Sequence, residues 1–315
     1  MPAIQLQPSL TIALSAVMLI LGAATLGYWI IRWRTPSRGL EKMGLRIRFL
    51  WFLAVLALLS SLYSVKILVF YIGFMAFLAL KEFLSITPTR QADRRVLFWA
   101  YLVIPIQFFL IWQGWYQAFI LFTPFYMFFL IPLTMVIVGE THGFLRANGR
   151  LNWMVMTTVF SLGHLAYLLM VPAAWNPIAG GLGFFLFLVM MTQLNDVAQY
   201  VFGKIFDQPQ LRLKVSTTRT WGSLIGSLVT SCMLSWLLAP LLTPFTTIQS
   251  LLAGVLIAVG CFFGYITFSA VKSDLQLKDR GSMTPGQGGI LNRIDTLIYT
   301  TPLFFYFVCL LKACK

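Results

Sequence analysis

The chain alternates long apolar runs with short polar intervals. The runs fall at 10–31, 49–65, 67–86, 96–112, 117–139, 151–172, 179–203, 222–243, 249–271 and 295–312. Most hold about 20 residues, the length a helix needs to cross a bilayer. The second and third would together make one helix about 57 Å long at 1.5 Å per residue. That is nearly twice the hydrocarbon core, so a helical hairpin turning near Ser64–Lys66 is expected. The pattern predicts an all-α polytopic integral membrane protein, a single membrane domain over 1–315 with about ten transmembrane helices.

Composition strengthens this expectation. The 315 residues are 59% hydrophobic and 10% charged, with a mean hydropathy of +0.84, whereas soluble domains are about 25% charged. Too few polar residues are present to cover a surface in water. That argues against a soluble enzyme, a disordered tail and a nucleic-acid-binding domain, despite a net charge of +14. Cys232, Cys261, Cys309 and Cys314 lie in or beside apolar runs without a C-x-x-C pair, and His142 and His164 are far apart, so no zinc site is expected. The first nine residues carry no Lys or Arg, and no cleaved signal peptide is expected.

Charge sets the orientation. With ten spans, 20 of the 23 basic residues fall on one side, in the groups Arg32–Arg48, Lys81–Arg95, Arg146–Arg150, Lys204–Arg219 and Lys272–Arg293; only Lys66, Lys312 and Lys315 fall opposite. The positive-inside rule makes the rich side cytoplasmic and both termini external. All nine acids fall on or near that same side. The rule does not govern acids, so their position is a separate clue. Carboxylates set among cations suit a divalent metal with an anionic substrate, whereas anionic headgroups alone would need only the cations. Most tryptophans, Trp33, Trp112, Trp153 and Trp221 among them, fall near run ends as interfacial anchors. Gly222/Gly226 and Gly260/Gly264 are spaced for close helix packing.

Two polar stretches carry the candidate chemistry. The first runs from Gln193, Asn195 and Asp196 through Tyr200, Gly203 and Lys204 to Ser216-Thr-Thr-Arg219-Thr-Trp221. Asp196 lies about two turns inside its run, where a charge is costly and marks a functional site by default; an interhelical hydrogen bond or salt bridge is the plainer account. Ser216, Arg219 and their neighbours precede a new helix, which makes an anion site or simple N-capping.

The second stretch runs from Ser269 to Asp295. It places Asp274, Asp279 and Asp295 among Lys272, Lys278, Arg280 and Arg293 within 27 residues. Hard oxygen ligands of this kind suit Mg²⁺, which takes one or two carboxylates plus substrate phosphates. Pro285–Gly289 lets backbone approach a ligand closely. A P-loop is excluded, because Gln287-Gly288 stands where Lys-Ser/Thr is required. Asn292…Asp295 also reads as a capping box of the last helix. No Ser/His/Asp or Cys/His set is visible. Transfer between phosphates does not require one, since charge screening and in-line positioning supply the rate.

These residues resemble the phosphatidate cytidylyltransferases (CDP-diacylglycerol synthases). Ser269-x-x-Lys272-Ser-Asp274, then Lys278-Asp279, Pro285-Gly-Gln287-Gly-Gly289 and Asn292-Arg293-x-Asp295 keep the spacing of that family's S-x-x-K-R-D, K-D, P-G-H-G-G and D-R-x-D. The first stretch is similar to its D-x-x-A-Y segment and V-S-P-x-K-T-W motif, and Lys81-Glu82-Phe83 also looks familial. The resemblance implies transfer of CMP from CTP to phosphatidate, giving CDP-diacylglycerol and pyrophosphate. It further implies Mg²⁺, sometimes with a monovalent cation such as K⁺, a homodimer among membrane lipids, and a bacterial inner (cytoplasmic) membrane with the site facing the cytoplasm. On this basis 1–150 forms N-terminal helices and 151–315 the catalytic helices and loops. Asp196, Asp274, Asp279 and Asp295 become metal candidates. Lys272, Lys278, Arg293 and Asp295 become catalytic candidates, and Ser216, Arg219, Ser269 and Gln287 contact substrate.

Departures from the motif matter. Gln287 stands for the family's His and cannot shuttle a proton near pH 7. Asn292 stands for the first Asp of D-R-x-D and ligates without charge. Ser273, Thr217 and Arg219 replace Arg, Pro and Lys. Alternatives are a CTP-dependent lipid or polyprenol kinase, an anionic-solute transporter, and an inactive relative. The transporter lacks the inverted repeats expected of one.

Overall fold

The computed structural model describes residues 8–34, seven positions between 44 and 58, 64–87, 94–139, 142–206, 212–213, 216–275 and 289–313. Helix α1 (Pro8–Arg34) comes first. Then α2 (Val65–Ile86) starts at Ser64, whose hydroxyl accepts the Lys66 amide at 3.3 Å, so this helix starts where the hairpin turn was expected. Helix α3 (Arg94–Trp112) carries Pro105. The next apolar run forms α4 (Tyr116–Leu121), a π-helical turn (Phe122–Met127) and α5 (Phe128–Val138). Pro124 lies inside that turn, and a proline removes one helical hydrogen bond.

The sixth apolar run begins earlier in the structure than its hydropathy predicts. Helix α6 (Phe144–Val155) takes in Arg146 and Arg150 before a second π turn (Met156–Phe160) leads to α7 (Ser161–Leu168). An amphipathic first stretch hides a helix start from a search for apolar residues. Helices α8 (Gly180–Ile205), α9 (Trp221–Leu242), α10 (Thr247–Asp274) and α11 (Leu291–Ala313) complete the chain. The all-α expectation needs one amendment. A short antiparallel pair, β1 (Arg212–Leu213) and β2 (Ser216–Thr220), joins α8 to α9.

Among the described residues, six helical stretches are long and apolar enough to cross a membrane, one of them running through α4, the π turn and α5. Helix α8 is the axis of the bundle. Its residues from Leu182 to Gln193 are all buried, as expected for a helix apolar on every side. It packs on α7, α9, α10 and α11. Asn176 fixes its start. The Asn176 side chain accepts the Ile178 and Ala179 amides at 3.2 and 3.3 Å and donates to the Leu242 carbonyl at 2.8 Å. A Cβ on Gly183 would collide with that same carbonyl, so glycine is needed for the approach of α9. Gly260 and Gly264 of α10 face Thr300, Thr296 and the Asp295 carbonyl of α11, the close helix packing their spacing predicts. Gly222 and Gly226 also serve packing, against the side chains of Phe206 and Phe202 rather than a neighbouring backbone. Trp153 is not simply an interfacial anchor. It packs edge-on against Phe83 at 5.6 Å and beside Phe268 at 6.1 Å.

The helix ends sort into two faces. Lys66 at the start of α2 meets Trp112 at the end of α3, and Tyr167 of α7 donates to the Gly114 carbonyl. These mark one face. The end of α2 meets the start of α11 on the other, where the ends of α8 and α10 and the start of α9 also lie. Glu82, Asp196, Asp274 and Asp295, the acids among the described residues, all lie toward this second face.

Candidate functional site

Two carboxylates lie buried where α8 meets α11. Asp196 is 3% exposed and Asp295 is 4% exposed. Asp196 sits nine residues before the end of α8, about 14 Å along the axis. Asp295 lies in the second turn of α11. Thr296 joins them. Its hydroxyl donates to Asp196 Oδ2 at 3.0 Å, and its amide donates to Asp295 Oδ1 at 2.9 Å. Lys272, in the last turn of α10, brings Nζ to 3.8 Å from Asp295 Oδ2. That exceeds the 2.7–2.9 Å of a charge-assisted hydrogen bond. The Lys272 side chain is 30% exposed and the Asp295 side chain 6%, so Lys272 lies on the open side of the pair. Ser269, one turn earlier on α10, is buried.

The cost of two buried charged groups is offset only by partners, and here the partners converge from three helices. The donor set is all oxygen, with a cation on its open side. It fits a small hard divalent ion that takes one or two carboxylates and leaves positions for phosphate oxygens. Asp274 ends α10 and is exposed. Among the described residues no cluster of three His, Cys, Asp or Glu could hold a metal. Of the four metal candidates, the structure therefore brings Asp196 and Asp295 together. Lys278, Asp279 and Gln287 lie outside the described residues. So do the side chains of Ser216, Arg219, Asn292 and Arg293, whose backbones fall in β2 and α11.

The Asn292 side chain, on which the capping-box reading of Asn292…Asp295 rests, lies outside the described residues. Helix α11 begins at Leu291, and Asp295 Oδ1 accepts the amide of the next residue. A cap comes from another helix. Glu82 of α2 accepts the Leu291 amide through Oε2 at 3.0 Å, across 209 residues of sequence. A Cβ on Gly289 would collide with this carboxylate, so a glycine lets the loop pass. Glu82 had shown itself only as part of Lys81-Glu82-Phe83, and Thr296 gave no signal. At the start of α9, Thr220 and Ser223 form a reciprocal capping box, each side chain accepting the other's amide at 3.1 Å. The capping account of the Ser216–Thr220 segment is thus realised at Thr220.

A second polar layer lies against α8. Asn195 donates to the Ser231 hydroxyl at 2.6 Å, and Gln199 donates to the Asn195 side-chain oxygen at 2.7 Å. Gln193 and Gln199 each keep one buried amide atom without a partner.

Residues 44–311 match the model of the cytidylyltransferase family. The chain belongs to the cytidylyltransferase family. The match takes in α2 and almost all of α11, and so includes Glu82, Asp196, Lys272 and Asp295. An uncharacterized protein of Escherichia coli (strain K12), YnbB, is 36% identical over 94% of this chain and 97% of its own length. A phosphatidate cytidylyltransferase of Synechocystis sp. is 36% identical over 37% of this chain and 40% of its own. One from Staphylococcus aureus (strain COL) is 28% identical over 39% and 48%. The alignments to these two named enzymes thus span less than half of either of them. The apolar helices of the fold are those of a membrane protein, and the family is one of nucleotidyltransferases.

Proposed function

We propose that the protein is a CTP:phosphatidate cytidylyltransferase, giving CDP-diacylglycerol and pyrophosphate. One observation carries this: the buried Asp196–Thr296–Asp295 unit with Lys272 on its open side, inside the stretch matched to the family. In this reaction a phosphatidate oxygen forms a bond to the α-phosphorus of CTP. The bond from that phosphorus to the β-phosphate oxygen breaks, and pyrophosphate leaves. The attacking oxygen is already anionic, so no side chain need remove a proton. Lys272 binds a phosphate, with Lys278, Arg293 and Arg219 as further phosphate holders. Asp196 and Asp295 would hold Mg²⁺, with Asp274 and Asp279 at its edge. When bound, the ion neutralises charge on the phosphates. Thr296 fixes both carboxylates against rotation, which preserves positioning.

The membrane arrangement proposed is ten spans with both termini outside and the site at the cytoplasmic surface of a bacterial inner membrane, as a homodimer. Lys81, Lys204 and Lys272, near the ends of α2, α8 and α10 on the carboxylate face, support it. Supplying purified protein with CTP labelled at the α-phosphate, phosphatidate and Mg²⁺ tests the reaction. Label is expected in a lipid that co-migrates with CDP-diacylglycerol. Label left wholly in CDP, with newly phosphorylated lipid, would establish a kinase instead.

A further inference from the structure

Away from the carboxylates, α2 and α3 enclose an apolar groove of about 560 Å³ at the opposite face. Its walls include Gly73 and Phe74 on α2 and Pro105, Phe108, Phe109 and Trp112 on α3. The volume lies in the range of small-molecule sites. Phe70 and Phe74 are exposed along it, so no described part of the chain covers it. Lys66, Phe70, Gly73 and Phe74 fall at i, i+4, i+7 and i+8 on one face of α2. Lys66 therefore stands in line with the groove, at its mouth, about 12 Å along the axis from Phe74. That length matches a chain in one leaflet of a core about 30 Å thick.

The mouth is built. Lys66 Nζ lies 4.8 Å from the centroid of the Trp112 ring, a cation–π contact that holds the ammonium above the groove. Lys66 is exposed, and among the described residues no carboxylate lies on this face. No described part of the chain supplies the charge that complements it, and a bilayer headgroup at this level can.

We propose that this groove is a binding site for a bilayer phospholipid with a net anionic headgroup, its phosphate at Lys66 and one acyl chain between α2 and α3. The site lies in the leaflet opposite the carboxylates and takes a resident lipid. It is independent of the reaction proposed above.

Trp112 provides the probe. The protein is reconstituted in phosphatidylcholine vesicles carrying increasing fractions of phosphatidylglycerol or phosphatidylcholine with brominated chains. The emission lost on Trp112→Phe isolates the contribution of Trp112. One lysine near a headgroup is worth about fivefold in local lipid affinity. Brominated phosphatidylglycerol should therefore quench Trp112 at about one-fifth the fraction that brominated phosphatidylcholine requires. Lys66→Gln should merge the two curves, and Lys66→Arg should keep them apart. Coincident curves in the unmodified protein would overturn the proposal, and this arm needs no variant at Lys66. So would a preference that survives undiminished in Lys66→Gln.

Discussion

Removing the Glu82 side chain should damage a site whose carboxylates it does not touch. Glu82 Oε2 accepts the Leu291 amide at 3.0 Å at the start of a 23-residue helix. Losing such a cap costs about 0.5–2 kcal/mol, and losing a carboxylate at a helix N-terminus about 0.3–1 kcal/mol more. Asp295 lies four residues on, about 6 Å along the axis. Fraying of the first turn therefore reaches it directly. A displacement of about 1 Å can cost about 100-fold in rate, so Glu82→Ala should lower CDP-diacylglycerol formation about 10- to 100-fold. Glu82→Gln keeps an oxygen acceptor and should stay within about fivefold, the equivalent of the charge contribution alone. Hydrogen exchange read by mass spectrometry supplies the structural half. Amides 291–294 should exchange faster in Glu82→Ala while α8 stays protected. Normal turnover and exchange in Glu82→Ala would refute the capping role. Turnover as low in Glu82→Gln as in Glu82→Ala, with exchange unchanged in both, would refute it too, because the charge would then act directly at the site.

Two further outcomes are expected. Thr296→Val keeps the shape of the side chain but leaves Asp196 Oδ2 without its 3.0 Å donor. It should destabilise the protein by about 1–3 kcal/mol in detergent melting and also raise the Mg²⁺ concentration needed for activity, whereas an unchanged Mg²⁺ titration would mean that Asp196 does not meet the ion. In a cysteine-free background, Leu213→Cys and Gly281→Cys should resist a membrane-impermeant thiol reagent in intact cells, since both fall in the basic cytoplasmic intervals, and efficient labelling would invert the orientation.

The same residues show how far the sequence could be read. Asp196 stood out because a charge inside an apolar run demands a reason. Lys272 and Asp295 stood out through motif spacing, and the fold brings all three to one place. The start of α2 at Ser64 was legible because no helix of 57 Å fits a bilayer. Glu82 was not, because its partner lies 209 residues away and no local pattern encodes a contact across helices. Thr296 was hidden because threonines bonded to their own helix are common in this chain, as at Thr192 and Thr300. The start of α6 was missed because Arg146 and Arg150 break the apolar signal without breaking the helix.

Asp295→Asn, compared with the unmodified protein in CDP-diacylglycerol formation from CTP, phosphatidate and Mg²⁺, tests most directly whether the buried pair performs the chemistry. Asparagine keeps the size and the acceptor for the Thr296 amide but gives up the charge that faces Lys272. Turnover should fall about 100-fold or more, equivalent to roughly 3 kcal/mol, with protein yield and detergent melting nearly unchanged. Near wild-type turnover in Asp295→Asn, alongside measurable activity in the unmodified protein, would contradict the assignment of the site.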